Sequence, residues 1–135
     1  MRIVSLLLCC CLFVLPACKG SYAEMAMRSP DELQALPKDQ LVAVYANERG
    51  KWGENKKLRA EVERRQLFTP DQWAKIEKGT FGVGDPEGVV WVAWGKPDQI
   101  HTLTSGAGVS RVLVYGDHAD NRVYITDGRV TALGQ

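Results

Sequence analysis

Four thiols and two imidazoles are the groups in this 135-residue chain best suited to covalent or metal chemistry: Cys9, Cys10, Cys11 and Cys18, with His101 and His118. A zinc centre needs three or four such ligands gathered in space. Beyond Cys18 the chain has no cysteine, so neither a Cys-based zinc site nor a disulfide framework is available there. His118 stands beside Asp117 and Asp120, a trio suited to weak metal or acid–base work, but its Gly-Asp-rich setting reads first as a surface loop. His101 reads as a strand surface residue. The serines after Cys18 are Ser21, Ser29, Ser105 and Ser110, and none sits in a nucleophile elbow. The glycine-rich run Gly79–Asp85 lacks the Lys-Ser or Lys-Thr and the leading strand of a phosphate loop. The carboxylates show no paired pattern. The residues therefore point away from an enzyme.

Cys18 is the one candidate with a specific reaction written into its surroundings. Arg2 precedes the apolar stretch Ile3–Leu15, and Leu15-Pro16-Ala17-Cys18 follows. A basic tip, an apolar core and small residues before a cut make an export signal. The 13-residue core is shorter than a membrane-spanning helix requires. A cysteine directly after the small residues resembles the lipobox of bacterial lipoproteins. That resemblance implies removal of residues 1–17, with Cys9, Cys10 and Cys11 as apolar filler, and a covalent lipid on Cys18. No other cofactor is expected. Lys19 stands where an aspartate would direct inner-membrane retention, so the outer membrane, on its periplasmic face, is the expected address.

The remaining 118 residues suffice for one domain with a modest core. They carry 16 basic and 16 acidic side chains, so no net field calls for nucleic acid. Residues 18–28 read as a lipid-anchored tether, 29–80 as a helical region and 81–135 as a further helix with a β-meander, packed with 29–80 as one unit. Ser29-Pro30-Asp31-Glu32 and Thr69-Pro70-Asp71-Gln72 are helix starts with capping residues. Pro37 restarts a helix after a bend, and Gly50 and Gly53 mark a break around Trp52. A further helix is expected over Glu54–Gln66, with Leu58 and Val62 four apart. Asp85 and Pro86 read as an N-cap and first-turn proline for Glu87–Trp94, a segment apolar nearly all round that should lie between layers.

Three or four helices are thus followed by three or four strands. Val109–Tyr115 places Val112 and Val114 on one face and Arg111, Leu113 and Tyr115 on the other. Arg122–Thr126, the tight turn Asp127-Gly128 and Arg129–Leu133 form a closing hairpin. The fold class is α+β, with N-terminal helices packed on a small antiparallel three- to four-stranded C-terminal sheet.

Gly84, Ala93-Trp94-Gly95-Lys96-Pro97, Tyr115-Gly116, Val123-Tyr124-Ile125 and Asp127-Gly128 together resemble the BamE (SmpA/OmlA)-like domain of small outer-membrane lipoproteins. The resemblance covers about residues 82–133, with Asp85 where the family has methionine. It implies a two-layer helix–sheet fold defined by Gly84, Trp94, Gly95, Pro97, Asp127 and Gly128. It also implies a lipid-anchored envelope protein that binds other envelope proteins, as an accessory in outer-membrane protein assembly or envelope integrity. The alternative is an inhibitor or ligand-binding periplasmic module on a similar fold. The candidate contact residues are Trp52, Lys56, Lys57, Arg111, Tyr115 and Tyr124. The basic stretch 49–65, interrupted by Glu54, Glu61 and Glu63, reads mainly as a solvated helical face.

Overall fold

A computed structural model describes residues 20–116 and 121–134. Cys18, Lys19 and the trio Asp117, His118 and Asp120 lie outside the described residues. Six helices come first: α1 (Tyr22–Ala26), α2 (Pro30–Gln34), α3 (Lys38–Trp52), α4 (Lys56–Arg64), α5 (Pro70–Glu77) and α6 (Glu87–Trp94). Four strands follow, β1 (Gln99–Ser105), β2 (Gly108–Val114), β3 (Arg122–Thr126) and β4 (Arg129–Leu133). They pair antiparallel in the order β1-β2-β3-β4. The fold is α+β, with helices ahead of a four-stranded meander.

The helix starts follow capping chemistry. Ser29 with Glu32, and Thr69 with Gln72, form reciprocal capping boxes, each with proline in the first turn. Ser21 and Glu24 form a third, and this one changes the domain plan. The segment 22–26, expected to be part of a tether, is a helix that buries Met25 and Ala26 against the helical core. Its small, polar composition hides a capping box of the same spacing as the one eight residues later. A second correction concerns Gly50. The helix does not break there but runs on to Trp52 and ends at Gly53, whose φ is +83°. Glycine inside a helix costs about 1 kcal/mol against alanine, and packing of α3 on α6 overrides it; Gly50 faces the backbone of Gly95.

A third correction concerns Asp85, which does not cap α6. The cap position is Pro86, with no side-chain bond. Asp85 is buried and accepts from Lys75 Nζ through both oxygens at 2.8 Å and from the Gly82 amide at 2.8 Å. Burial works against its charge, but Lys75 and the amide outweigh this and hold its carboxyl below the usual range.

α6 keeps the boundaries its sequence predicts and joins two cores. Val89 and Val92 enter the helical core with Leu41, Val44, Tyr45, Leu58, Val62 and Ile76. Val90, about 100° round the helix, enters the sheet core with Leu113, Tyr115, Val123, Ile125 and Val130. Phe81 and Trp91 touch both. An all-apolar helix is stable here because both sides are covered.

The fold-defining positions act through backbone geometry. Gly95 ends α6 at φ +90°, which favours glycine, and Pro97 behind it is buried. Asp127 and Gly128 both have positive φ, 48° and 75°, as a two-residue hairpin turn of the primed kind requires. The turn is tied to α6, since Glu87 N–H donates to the Gly128 carbonyl at 2.9 Å. Gly84 N–H donates to the Val130 carbonyl at 2.8 Å, fastening the chain ahead of α6 to β4. A β-branched residue at φ +75° is strained, so Gly128→Val is expected to cost about 2 kcal/mol. Thermal melting checks this: the midpoint should fall by several degrees, and an unchanged midpoint contradicts the turn assignment.

Candidate contact surface

The stretch 49–65 separates its arginines from its lysines. All four arginines have carboxylate partners. Arg49 donates to the Val92 carbonyl at 2.8 Å and lies 3.8 Å from Glu54 and 3.6 Å from Glu77. Arg59 binds Glu63 at 2.5 Å and Glu77 at 2.7 Å, with its guanidinium 3.8 Å above the Trp73 ring. Tyr45, fully buried, donates its hydroxyl to Glu54 beside these groups. Burial and the Glu54 carboxylate push that phenol well above its ordinary range. This cluster clamps α3, α4, α5 and α6 together; it is structural.

The second cluster sits on Glu61, which is buried. Arg64 donates to it twice at 2.8 Å, and Arg65 once at 2.6 Å. Arg65 also donates to the carbonyls of Leu33, Gln34 and Leu36 at 2.8, 2.9 and 2.7 Å. Those carbonyls belong to the end of α2, where a helix leaves acceptors unpaired and favours a cation. The Arg64 and Arg65 guanidiniums hold the Glu61 carboxyl down to about 2 against the opposing effect of burial.

The lysines do none of this. Lys51, Lys56 and Lys57 are exposed and form no ion pair among the described residues. Between them stands Trp52, 80% exposed at the last position of α3. Asn55 caps α4 by accepting from the amides of Lys57 and Leu58, which fixes where the two lysines leave the backbone. The result is an exposed indole on a helix end, in one short stretch with three exposed lysines that are unpaired among the described residues. A large exposed aromatic on a rigid element suits contact with another macromolecule, because little side-chain freedom is lost on binding.

The other expected contact residues are elsewhere. Tyr124 is on the outer face of the sheet, partly exposed, paired with Val112 and Ala132. Arg111 is on the inner face and donates to both Glu87 oxygens at 3.2 Å, with Trp91 Nε1 on the same carboxylate at 3.2 Å. Tyr115 is buried and donates its hydroxyl to the Gly95 carbonyl at 3.2 Å. Burial, with Glu87 and Asp98 nearby, pushes its phenol up. A contact role for Tyr115 does not fit this placement: its position two past Leu113 sends it to the covered face. The six candidates therefore fall on separate surfaces; only Trp52, Lys56 and Lys57 share one stretch of chain, the end of α3 and the start of α4.

Beside them is a groove that local sequence could not reveal, since its walls are 45 residues apart in the chain. It is open, about 360 Å³, and lined by Asn47, Gly50 and Lys51 from α3 and by Trp94, Lys96 and Asp98. Trp94 is 45% exposed there, stacked edge-on with Phe81 and Tyr115, its Nε1 donating to the Gly79 carbonyl at 3.0 Å. Lys96 also lies over the Tyr22 ring at 5.4 Å, so α1 borders the groove.

Among the described residues no three His, Cys, Asp or Glu side chains gather as a metal site, and no helix is long and apolar enough to cross a membrane. Comparison of the chain with known protein families, curated proteins and solved structures finds no match.

Proposed function

We propose that this protein is a non-enzymatic, lipid-anchored envelope domain, attached through Cys18 to the periplasmic face of the outer membrane, that binds another envelope protein. The observation that carries the binding role is Trp52, an indole 80% exposed on a helix end, in a stretch whose lysines Lys51, Lys56 and Lys57 are exposed as well. The anchor rests on Leu15-Pro16-Ala17-Cys18 behind an apolar core. The order of helices and antiparallel meander, with Gly95 and Asp127-Gly128 at positive φ, is compatible with a two-layer BamE (SmpA/OmlA)-like domain. On that reading the role is accessory, in outer-membrane protein assembly or envelope integrity. The free lysines suit a partner that presents carboxylates around an apolar pocket.

A pulldown from chemically crosslinked envelopes tests this. The triple variant Trp52→Ala, Lys56→Glu, Lys57→Glu should lose roughly tenfold or more of its captured partner. Its melting should change little, since exposed substitutions ordinarily shift stability by about 0.5 kcal/mol or less each. Equal capture by variant and parent protein contradicts the proposal.

A further inference from the structure

Among the described residues, one edge of the sheet is paired and the other is bare. Along β4, Gly84 N–H donates to the Val130 carbonyl at 2.8 Å, Val130 N–H donates to the Asp85 carbonyl at 2.9 Å, and Pro86 bridges to Arg129. Along β1, no described residue pairs with the outer edge. Edge strands are ordinarily blunted by charges, proline, bulges or brevity. β1 has none of these: Gln-Ile-His-Thr-Leu-Thr-Ser carries no Lys, Arg, Asp, Glu or Pro, and its seven residues pair with β2 without a register shift. All seven are exposed, Leu103 at 70% and Ile100 at 42%.

The register fixes which backbone groups are unpaired. Asp127 N–H donates to the Val109 carbonyl and Tyr115 N–H to the Asn121 carbonyl, so the odd-numbered residues of β2 bond toward β3. The even-numbered ones, Ser110, Val112 and Val114, bond toward β1, where they face Leu103, His101 and Gln99. Ile100, Thr102 and Thr104 therefore direct their N–H and C=O groups outward.

We propose that β1 pairs antiparallel with β1 of a second copy of this chain, about a twofold axis at Thr102. Centring the axis there aligns all three outward residues: Thr102 faces Thr102, and Ile100 faces Thr104 on both sides. Each facing pair exchanges two N–H···O=C bonds. β-branched and Thr–Thr cross-strand pairs are favourable, and an uncharged strand brings no like charges together. The interface is isologous, so it closes at two copies. The groove between α3 and the turn after α6 reaches only Asp98, ahead of β1, and takes in none of the residues Gln99–Ser105. Pairing of one strand covers less than the roughly 1,200 Å² of a stable interface. The contact is accordingly weak in dilute solution and is populated where copies are confined to one surface; this last clause rests on anchorage at Cys18, and the pairing itself does not.

The chain has no cysteine after Cys18, so introduced thiols report cleanly. Thr102→Cys places two thiols across the axis at a Cα spacing of about 5.5 Å, within disulfide reach. Oxidation of intact cells producing the full chain should give a disulfide dimer with Thr102→Cys. Ser105→Cys should give little, because its counterpart lies six residues along the paired strand, about 20 Å away. Adding Thr104→Pro to Thr102→Cys removes only outward N–H groups. It should cut the dimer roughly tenfold and leave melting of the single copy unchanged. No dimer, equal dimer from both cysteine positions, a Thr102→Cys adduct with another protein alone, or insensitivity to Thr104→Pro overturns the proposal. If Cys18→Ser leaves the protein membrane-bound, the anchor is wrong while the crosslinking pattern still decides the strand pairing.

Discussion

Glu61→Ala should cost about 3 kcal/mol, because it leaves the largely buried Arg65 without its carboxylate. Glu61 receives three hydrogen bonds from Arg64 and Arg65, and Arg65 holds the last carbonyls of α2. Removing the carboxylate loosens the seam between α2 and α4 as well as the pair. Against a typical domain stability of about 5–15 kcal/mol this is a large fraction, equivalent to a fall of roughly 10 °C in the melting midpoint. The same residue sets an acid limit. Its carboxyl is depressed from 4.5 to about 2 in the folded protein. Its stabilisation is therefore complete above the unfolded value, near pH 4.5, and is lost as pH falls through the folded value, near 2. Denaturant titration at pH 7 and pH 3 should show a smaller pH dependence in Glu61→Gln than in the parent protein. Identical pH dependence means that the Glu61 pair carries none of the acid sensitivity.

The second large effect concerns location. An acyl chain contributes about 0.8 kcal/mol per buried methylene to membrane attachment, and stable anchoring takes more than one chain. No described helix offers a substitute. Cys18→Ser, in a chain exported behind a leader cut independently of the cysteine, should move nearly all of the protein from washed membranes to the soluble fraction. Retention in the membranes means that another segment or a tightly held partner anchors it. α1 adds a structural consequence. Under the proposed anchor at Cys18, with Tyr22–Ala26 folded onto the core, only residues 18–21 would separate the lipid from the domain, a span of at most about 14 Å. An anchored domain would then be held close to the bilayer, with Tyr22 and Lys96 near its point of attachment.

Features governed by neighbours in the chain were legible in the sequence. The Ser29 and Thr69 capping boxes, the α6 boundaries and the Asp127-Gly128 turn each depend on a few adjacent residues, and the structure has each where its residues predict it. The alternation that puts Val112 and Val114 opposite Leu113 and Tyr115 was legible in the same way. Features governed by distant partners were not. Gly50 reads as a breaker until α6 packs against it, and Asp85 reads as a cap until Lys75 reaches it from α5. α1 was missed for a different reason: Ser21 and Glu24 are a local signal, but five residues carry too little apolar periodicity to reveal the burial of Met25 and Ala26. For the contact residues, Trp52 between glycine and lysines was legible as exposed. That the arginines of the same stretch are paired while its lysines are unpaired among the described residues depends on Glu54, Glu61, Glu63 and Glu77 coming from two helices and a loop.

The central claim is that the surface around Trp52 engages another envelope protein. A photoreactive amino acid placed at residue 52 of the full chain, and irradiated in living cells, tests this most directly. A discrete crosslinked product at residue 52, shared with residue 57 and absent from the exposed control position Asp39 at the far end of α3, is the predicted result. No product at residue 52, or the same product at all three positions, contradicts it.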